Sequence, residues 1–468
     1  AVLHTINIRL SPEQILYTMN HAEDRFVLVN SDFAALYQGI AGQLGTVTGT
    51  LLLTDNPQSA VELPGSVGEY ENLLAAVEPS YAFADFDENS VATTFYTTGT
   101  TGNPKGVYFT HRQLVLHTLS MATTLGSLDS IRLMGNDDVY MPITPMFHVH
   151  AWGVPYVATL LGVKQVYPGR YEPEMLCKLI KGEQVTFSHC VPTILQMLLA
   201  APGAQGHDFK GMKVIIGGSA LNRALYEAAK ARGIKLTAAY GMSETCPLIS
   251  CGYLNDELLG GSAEQCTAYR IKAGIPVPLV EAAIMDGDGK QLPADGQTQG
   301  ELVLRAPWLT QGYFREVEKS QELWAHGWLH TGDVATLDDM GFIDIRDRLK
   351  DVIKTGGEWI SSLELEDLIS RQPAVREVAV VGVADQQWGE RPFALVVAKE
   401  GQHLDAGILK EHLTPFVEQG VINKWAIPSQ IALVTEIPKT SVGKLDKKRI
   451  RIDLAQWQEA GSEFLSSL

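Results

Sequence analysis

The chain has 468 residues, 45% hydrophobic, 19% charged and 8% aromatic, a globular composition that excludes disorder, collagen and coiled coil as its main character. At about 150 residues per domain this length suits roughly three structural units. With 37 Lys and Arg against 54 Asp and Glu, the net charge of −17 argues against a general binder of nucleic acid or anionic membranes, so any anionic ligand must be held by a local site.

The five cysteines, Cys177, Cys190, Cys246, Cys251 and Cys266, are scattered and never spaced Cys-x-x-Cys. That pattern suggests neither a disulfide framework nor a zinc ribbon, and it suits a reducing cytoplasm. The longest apolar stretch, Ala151 to Val163, is interrupted by Gly153 and Pro155. It falls short of the ~18 residues of a spanning helix, so no transmembrane segment is expected. The first residues, Ala1 to Asn7, contain no Met and no basic segment ahead of an apolar core, so the sequence reads as starting inside a longer gene product.

Short β-rich runs alternate with helical patterns, the signature of α/β layers. Val91 to Tyr96 predicts a strand that runs into Thr97, Thr98, Gly99, Thr100, Thr101, Gly102, Asn103, Pro104, Lys105 and Gly106, with a helix beginning near Thr110. Glycines let backbone N–H groups approach a polyanion, the Thr hydroxyls donate hydrogen bonds and Lys105 adds a point charge, so the segment suits a polyphosphate better than a plain polar turn. It is not the P-loop of NTPases, because Gly106 follows Lys105.

His148 and His150 would face the same way on a strand, but no third ligand follows at metal spacing and a metal site is rejected. Phe147, Trp152, Tyr156, Val191, Ile194, Leu195 and Leu198 can wall an apolar pocket, although core packing is the better reading for Leu195 and Leu198.

Between Lys213 and Gly241 lies a βαβ unit. Its right-handed crossover brings the loops at Gly217-Gly218 and Tyr240-Gly241 to one carboxyl edge, where open α/β sheets bind ligands. Glu244 at that edge can hold Mg²⁺, Tyr240 can stack on a base and Gly217-Gly218 can admit a planar ring; the competing reading is a surface Glu and a core Tyr.

From Val277 to Ile345 short runs and turns predict a small β subdomain, in which Asp286-Gly287-Asp288-Gly289 reads as a hairpin turn because a calcium loop would need a Glu at its twelfth position. Asp333 can accept two ribose hydroxyls, with Arg348 donating from the same side; alone, either would be read as a solvated charge. Past a boundary near Leu349-Lys350, a helix is expected over 362–370 and a strand over 377–383. Lys444 precedes the basic residues Lys447, Lys448 and Arg449, and by itself would pass for part of a solvated run.

Taken together, the motifs become specific. The loop 97–106, Pro145 to Trp152, Gly217-Gly218-Ser219-Ala220, Tyr240-Gly241-Met242-Ser243-Glu244-Thr245, Trp328 to Asp333, Arg346 to Asp351, Lys354-Thr355-Gly356-Gly357-Glu358 and Pro438 to Lys444 occur in this order. The sequence resembles, along its whole length, the adenylate-forming superfamily of acyl-CoA synthetases, firefly-type luciferases and peptide-synthetase adenylation domains, and most of all the bacterial fatty acyl-CoA synthetases.

The resemblance implies an α/β fold with a large N-terminal domain, 1–348, made of α/β subdomains and a small β-barrel-like subdomain, and a mobile α+β C-terminal domain, 349–468. Family members carry several tens of residues ahead of the segment that begins here. It implies ATP, Mg²⁺ and coenzyme A as cofactors and a medium- or long-chain fatty acid as substrate.

By the same resemblance, Lys444, Glu244 and His148 are the catalytic residues, with Lys444 acting in adenylation and Glu244 holding the metal, and His148, Trp152 and Ile194 gate the acid. The nucleotide would be held by the phosphate loop with Gly217, Gly218, Ser219, Tyr240, Gly241, Met242, Ser243, Asp333 and Arg348. Lys350 is the hinge, and Gly356-Gly357 move toward a pantetheine channel. No nucleic-acid partner is expected; peripheral membrane contact and a homodimer are both allowed. An amino-acid-activating domain lacks its acidic residue after the aromatic motif, and a carrier-loading ligase lacks its insertion near the hinge. An acyl-adenylate ligase with another acceptor, a luciferase-like oxygenase and a catalytically impaired nucleotide-binding homologue remain as alternatives.

Overall fold

The structure is a computed structural model that describes all residues except 57–60, 98–102, 128–131, 357, 441–442 and 461–468. The mixed α/β architecture has a large N-terminal domain and a small C-terminal one. Its centre is a seven-stranded sheet in the order Ile275–Pro276, Leu248–Cys251, Lys235–Gly241, Lys213–Ile216, Phe187–Cys190, Val139–Pro142 and Lys164–Gln165. From Lys235–Gly241 through to Lys164–Gln165 the neighbours are parallel.

Parallel strands are covered on both faces, and the side-chain alternation divides accordingly. Ile215, Phe187 and Tyr140 enter one core, while Val214, Ile216, Cys190 and Met141 enter another. The βαβ unit is as the sequence indicates. The helix Arg223–Ala231 is capped by Asn222, which accepts from Leu225 N at 2.8 Å, and joins strands paired Lys213↔Lys235 to Ile216↔Ala238. Both strands therefore end at the same edge.

One expectation fails. Between the phosphate-type loop and the helix His111–Ser127 lies another strand, Lys105–Thr110, antiparallel to Val91–Thr97 with Thr97 opposite Lys105. A paired strand, and not the helix, therefore follows the phosphate-type segment in the chain. Gly106 and Pro104 disguise the strand, but Val107 and Phe109, both fully buried, supply its inward alternation.

The small β subdomain is an antiparallel sheet of Glu281–Met285, Gly300–Arg305, Trp328–Leu337 and Trp324–Ala325, with Ile343–Arg348 also paired to Trp328–Leu337. Asp333 and Arg348 face each other across its last pairing. In the C-terminal domain the hairpin Val375–Asp385 and Gly389–Ala398 packs beneath Ser362–Ser370. That helix is capped by Ser361 and turns Leu365, Leu368 and Ile369 inward. The strand expected over 377–383 lies inside Val375–Asp385.

Candidate active site

A cleft of about 1320 Å³ opens where the carboxyl edge of the central sheet meets the β subdomain and the C-terminal domain. On its β-subdomain wall Asp333, 3% exposed, accepts from the Tyr240 hydroxyl and pairs with Arg348 Nε at 3.1 Å. Burial, and then the neighbouring carboxylate, push the Tyr240 hydroxyl well above its ordinary pKa, so it stays a donor. Asp333 raises the pKa of Arg348 in turn.

The glycines leave room that side chains would fill. A Cβ on Gly217 would lie 3.0 Å from Ala239 O and 3.3 Å from the Trp152 ring. Gly218 has φ +80°, a conformation that favours glycine, and a Cβ there would sit 3.1 Å from Lys444 Cε. Gly241 crosses Pro247, whose carbonyl oxygen a Cβ would meet at 1.9 Å. Met242 N donates to Thr245 Oγ1 at 2.9 Å, closing the short turn Ser243–Thr245, and Ser219, Met242 and Ser243 all line the cleft.

Glu244, 7% exposed, accepts from the Tyr313 hydroxyl at 2.7 Å through Oε1, and the Lys105 ammonium lies 4.4 Å from the Tyr313 ring centre. Thr97 and Lys105 face each other where the two paired strands meet the phosphate-type segment. Thr98, Gly99, Thr100, Thr101 and Gly102 of that segment, and Gly357, lie outside the described residues. A hard carboxylate that shares Tyr313 with the Lys105 ammonium fits a magnesium ion that arrives with a nucleotide, since Mg²⁺ is commonly held by one or two carboxylates plus substrate phosphates. Among the described residues no group of three His, Cys, Asp or Glu is placed to hold a metal.

The aromatic segment departs from the strand geometry under which His148 and His150 would share a face. Val149, His150, Ala151 and Trp152 have φ of +50°, +50°, +48° and +61°, followed by Gly153 at +69°, a single left-handed turn. Left-handed geometry costs L-residues roughly 1–2 kcal/mol each and is worst for a β-branched residue such as Val149. Burial of Val149, Ala151 and Trp152 opposes that cost, as does a 2.6 Å hydrogen bond between His150 Nε2 and Thr93 Oγ1.

His150 therefore points away from the cleft, toward Phe95 and Tyr156, whereas His148 lines it. Burial, and then Lys444, hold the His148 pKa down at about 3, so it is a neutral imidazole. Trp152, 4% exposed, lies against Gly217 and 5.0 Å from the His189 ring. Ile194, expected on the substrate wall, packs into both cores instead, and Leu195 and Leu198 are wholly buried in the second.

The C-terminal domain closes the cleft. Thr193 Oγ1 donates to Gly443 O at 2.8 Å, Gln196 Nε2 to Arg376 O at 2.7 Å, and Arg223 N to Asp367 Oδ1 at 3.0 Å. These contacts set Lys444 against Gly218. Burial and the Arg348 charge lower the Lys444 pKa to about 8, while Asp333 and Glu244 oppose the change. Lys350 follows the strand Ile343–Arg348 in a turn closed by Asp351 N to Arg348 O at 2.8 Å, and Arg451 holds Asp351 at 2.6 Å. Gly356, at φ +58°, packs on Trp388 and is absent from the cleft lining in this domain arrangement. Tyr313 and Thr193 escape sequence reasoning: neither belongs to a charged or glycine-rich run, and each reaches the site only through tertiary packing.

The chain matches the AMP-binding enzyme family over residues 1–314 and the AMP-binding enzyme C-terminal domain over 364–444. It is 38% identical over 455 residues to a long-chain-fatty-acid–CoA ligase of Thermus thermophilus, covering 96% of this chain and 80% of that one. Identity to a 3-methylmercaptopropionyl-CoA ligase of Ruegeria pomeroyi is 40%, over 96% of this chain and 82% of the relative. A medium-chain-fatty-acid–CoA ligase of Ectopseudomonas oleovorans is 37% identical over 96% and 81%. Among solved structures, the anthranilate CoA ligase AuaEII in complex with anthranoyl-AMP shares the fold with a TM-score of 0.83 over 97% of this chain and 82% of that one, at 23% identity. From these matches and the cleft that carries the corresponding motifs, the chain belongs to the AMP-binding, adenylate-forming enzymes.

Proposed function

We propose that the protein is an AMP-forming acid–CoA ligase that converts a medium- or long-chain fatty acid to its acyl-CoA through an acyl-adenylate. The observation that carries this reading is Lys444, held against Gly218 between the Asp333–Arg348 pair and Glu244 in a cleft closed by the C-terminal domain. The fatty acid rests on the long- and medium-chain ligases among the relatives.

A carboxylate resists attack by a thiol because it is anionic and has no good leaving group. Transfer to the α-phosphate of MgATP, with loss of pyrophosphate, removes both obstacles. In this reading Asp333 and Arg348 fix the ribose and Glu244 orients the metal that accompanies the phosphates. Lys444 lies where the carboxylate and α-phosphate, both negative, must come together, and its ammonium opposes their repulsion, a positional and electrostatic contribution rather than a proton transfer. Neutral His148 offers a hydrogen bond without a competing charge.

The second step needs Lys444 gone and coenzyme A admitted. We assign 1–348 to the fixed domain and 349–468 to the mobile one, turning about Lys350 to bring Gly356-Gly357 to the channel. The cytoplasm suits five cysteines that form no disulfide. No helix among the described residues is long and apolar enough to cross a membrane.

Pyrophosphate release across acetate, 3-methylmercaptopropionate, octanoate, palmitate and benzoate, with and without coenzyme A, tests the proposal. Release that depends on a fatty acid, with thioester only when coenzyme A is present, supports it. ATP binding without release on any acid overturns the reaction, and a preference for acetate, 3-methylmercaptopropionate or benzoate overturns the substrate.

A further inference from the structure

Glu244 and Lys105 are 139 positions apart in sequence, one in the short turn Ser243–Thr245 and the other at the start of the strand Lys105–Thr110, yet one segment, 308–314, ties them together. Trp308 Nε1 donates to Thr245 O at 3.1 Å and Thr310 N to Glu244 O at 3.0 Å. The same segment grips the strand Lys105–Thr110: Thr310 Oγ1 donates to Tyr108 O at 3.0 Å and Phe314 N to Gly106 O at 2.8 Å.

Tyr313 repeats this cross-tie with its side chain. Its hydroxyl donates to Glu244 Oε1 and its ring faces the Lys105 ammonium. A hydroxyl bound to a carboxylate fixes the direction in which that carboxylate presents its charge, and the ring face holds a cation without neutralising it. Burial, and then Glu244, raise the Tyr313 pKa, so the hydroxyl remains a donor.

We infer that Tyr313 is a positioning residue for MgATP, its hydroxyl aiming Glu244 at the divalent cation and its ring aiming Lys105 at the phosphates. The inference rests on the proposed use of ATP. The two functions separate by chemistry: Tyr313→Phe removes only the hydroxyl, and Tyr313→Leu removes both contacts.

ATP binding measured by calorimetry on the full chain, in EDTA and in excess Mg²⁺ with no acid present, tests it. Tyr313→Phe should bind ATP in EDTA as the unaltered protein does but lose about tenfold of the enhancement that Mg²⁺ confers, as expected for a hydrogen bond to a charged group. Tyr313→Leu should also weaken binding in EDTA. In a Glu244→Gln background, Tyr313→Phe should cost nothing further. An unchanged Mg²⁺ enhancement in Tyr313→Phe, equal weakening with and without Mg²⁺, or additive losses with Glu244→Gln would overturn the inference. Failure of the unaltered protein to bind ATP at all would instead overturn the proposed function.

Discussion

A lysine whose ordinary pKa is 10.5 sits at about 8 in this cleft, and MgATP should reverse that displacement. One negative charge at 4 Å is worth about 4 kcal/mol at an effective dielectric constant near 20, equal to about three pH units. The nucleotide therefore restores Lys444 to the charged form across the neutral and mildly alkaline range. At pH 8 about half of the free enzyme carries neutral Lys444, so binding MgATP should take up about half a proton, rising toward one at pH 9 and falling to about a tenth at pH 7. Calorimetry in two buffers of different ionisation enthalpy measures this uptake directly.

Above pH 8 the specificity constant for ATP in pyrophosphate release should fall about tenfold per unit, and Lys444→Arg should flatten that limb. Stability follows with a definite sign. Because the folded pKa lies below the unfolded one, the unfolded chain binds more protons between pH 8 and 10.5, and stability rises with pH through that window. At pH 7 the half-buried ammonium costs the free protein about 3 kcal/mol, which Lys444→Met should recover while abolishing adenylation. Proton uptake that is absent at pH 8 to 9, or the same in Lys444→Ala, would refute this account of the site.

Two further outcomes are expected. Lys350→Pro fixes φ in the turn between the domains; pyrophosphate release should be near normal while thioester formation falls at least tenfold, as read by separate assays of the half-reactions. Trp152→Ala removes the ring that lies on Gly217 and should shift the chain-length profile, with affinity for ATP changed less than threefold, as measured by specificity constants from butyrate to palmitate.

The sequence exposes the parts of this fold whose physics is local. The βαβ unit is legible because Val214 to Ile216, Asn222 and Gly233 are in turn a buried strand, a helix cap and a stop. The helix Ser362–Ser370 is legible because Ser361 caps it ahead of Leu365, Leu368 and Ile369. Lys105–Thr110 is hidden because its first residues look like loop, and only pairing with Val91–Thr97 makes them a strand. The left-handed turn has no sequence signal, since Val149 and Ala151 carry no preference for positive φ; the tertiary environment imposes it. Tyr313 is a site residue through a contact with Glu244, 69 positions earlier in the chain.

That left-handed turn bears on attempts to make the enzyme hardier. Ala151 is fully buried at φ +48°, and glycine there would escape most of the roughly 1–2 kcal/mol steric cost while adding freedom to the unfolded chain. Ala151→Gly should therefore raise the melting temperature slightly or leave it unchanged, the opposite of its usual effect in ordered structure. It should also blur discrimination among acids, because the backbone that carries the indole of the next residue, Trp152, would be less firmly fixed. A family library screened only for heat resistance would be drawn toward such glycines, and would trade away selectivity without any change at a residue that touches the nucleotide.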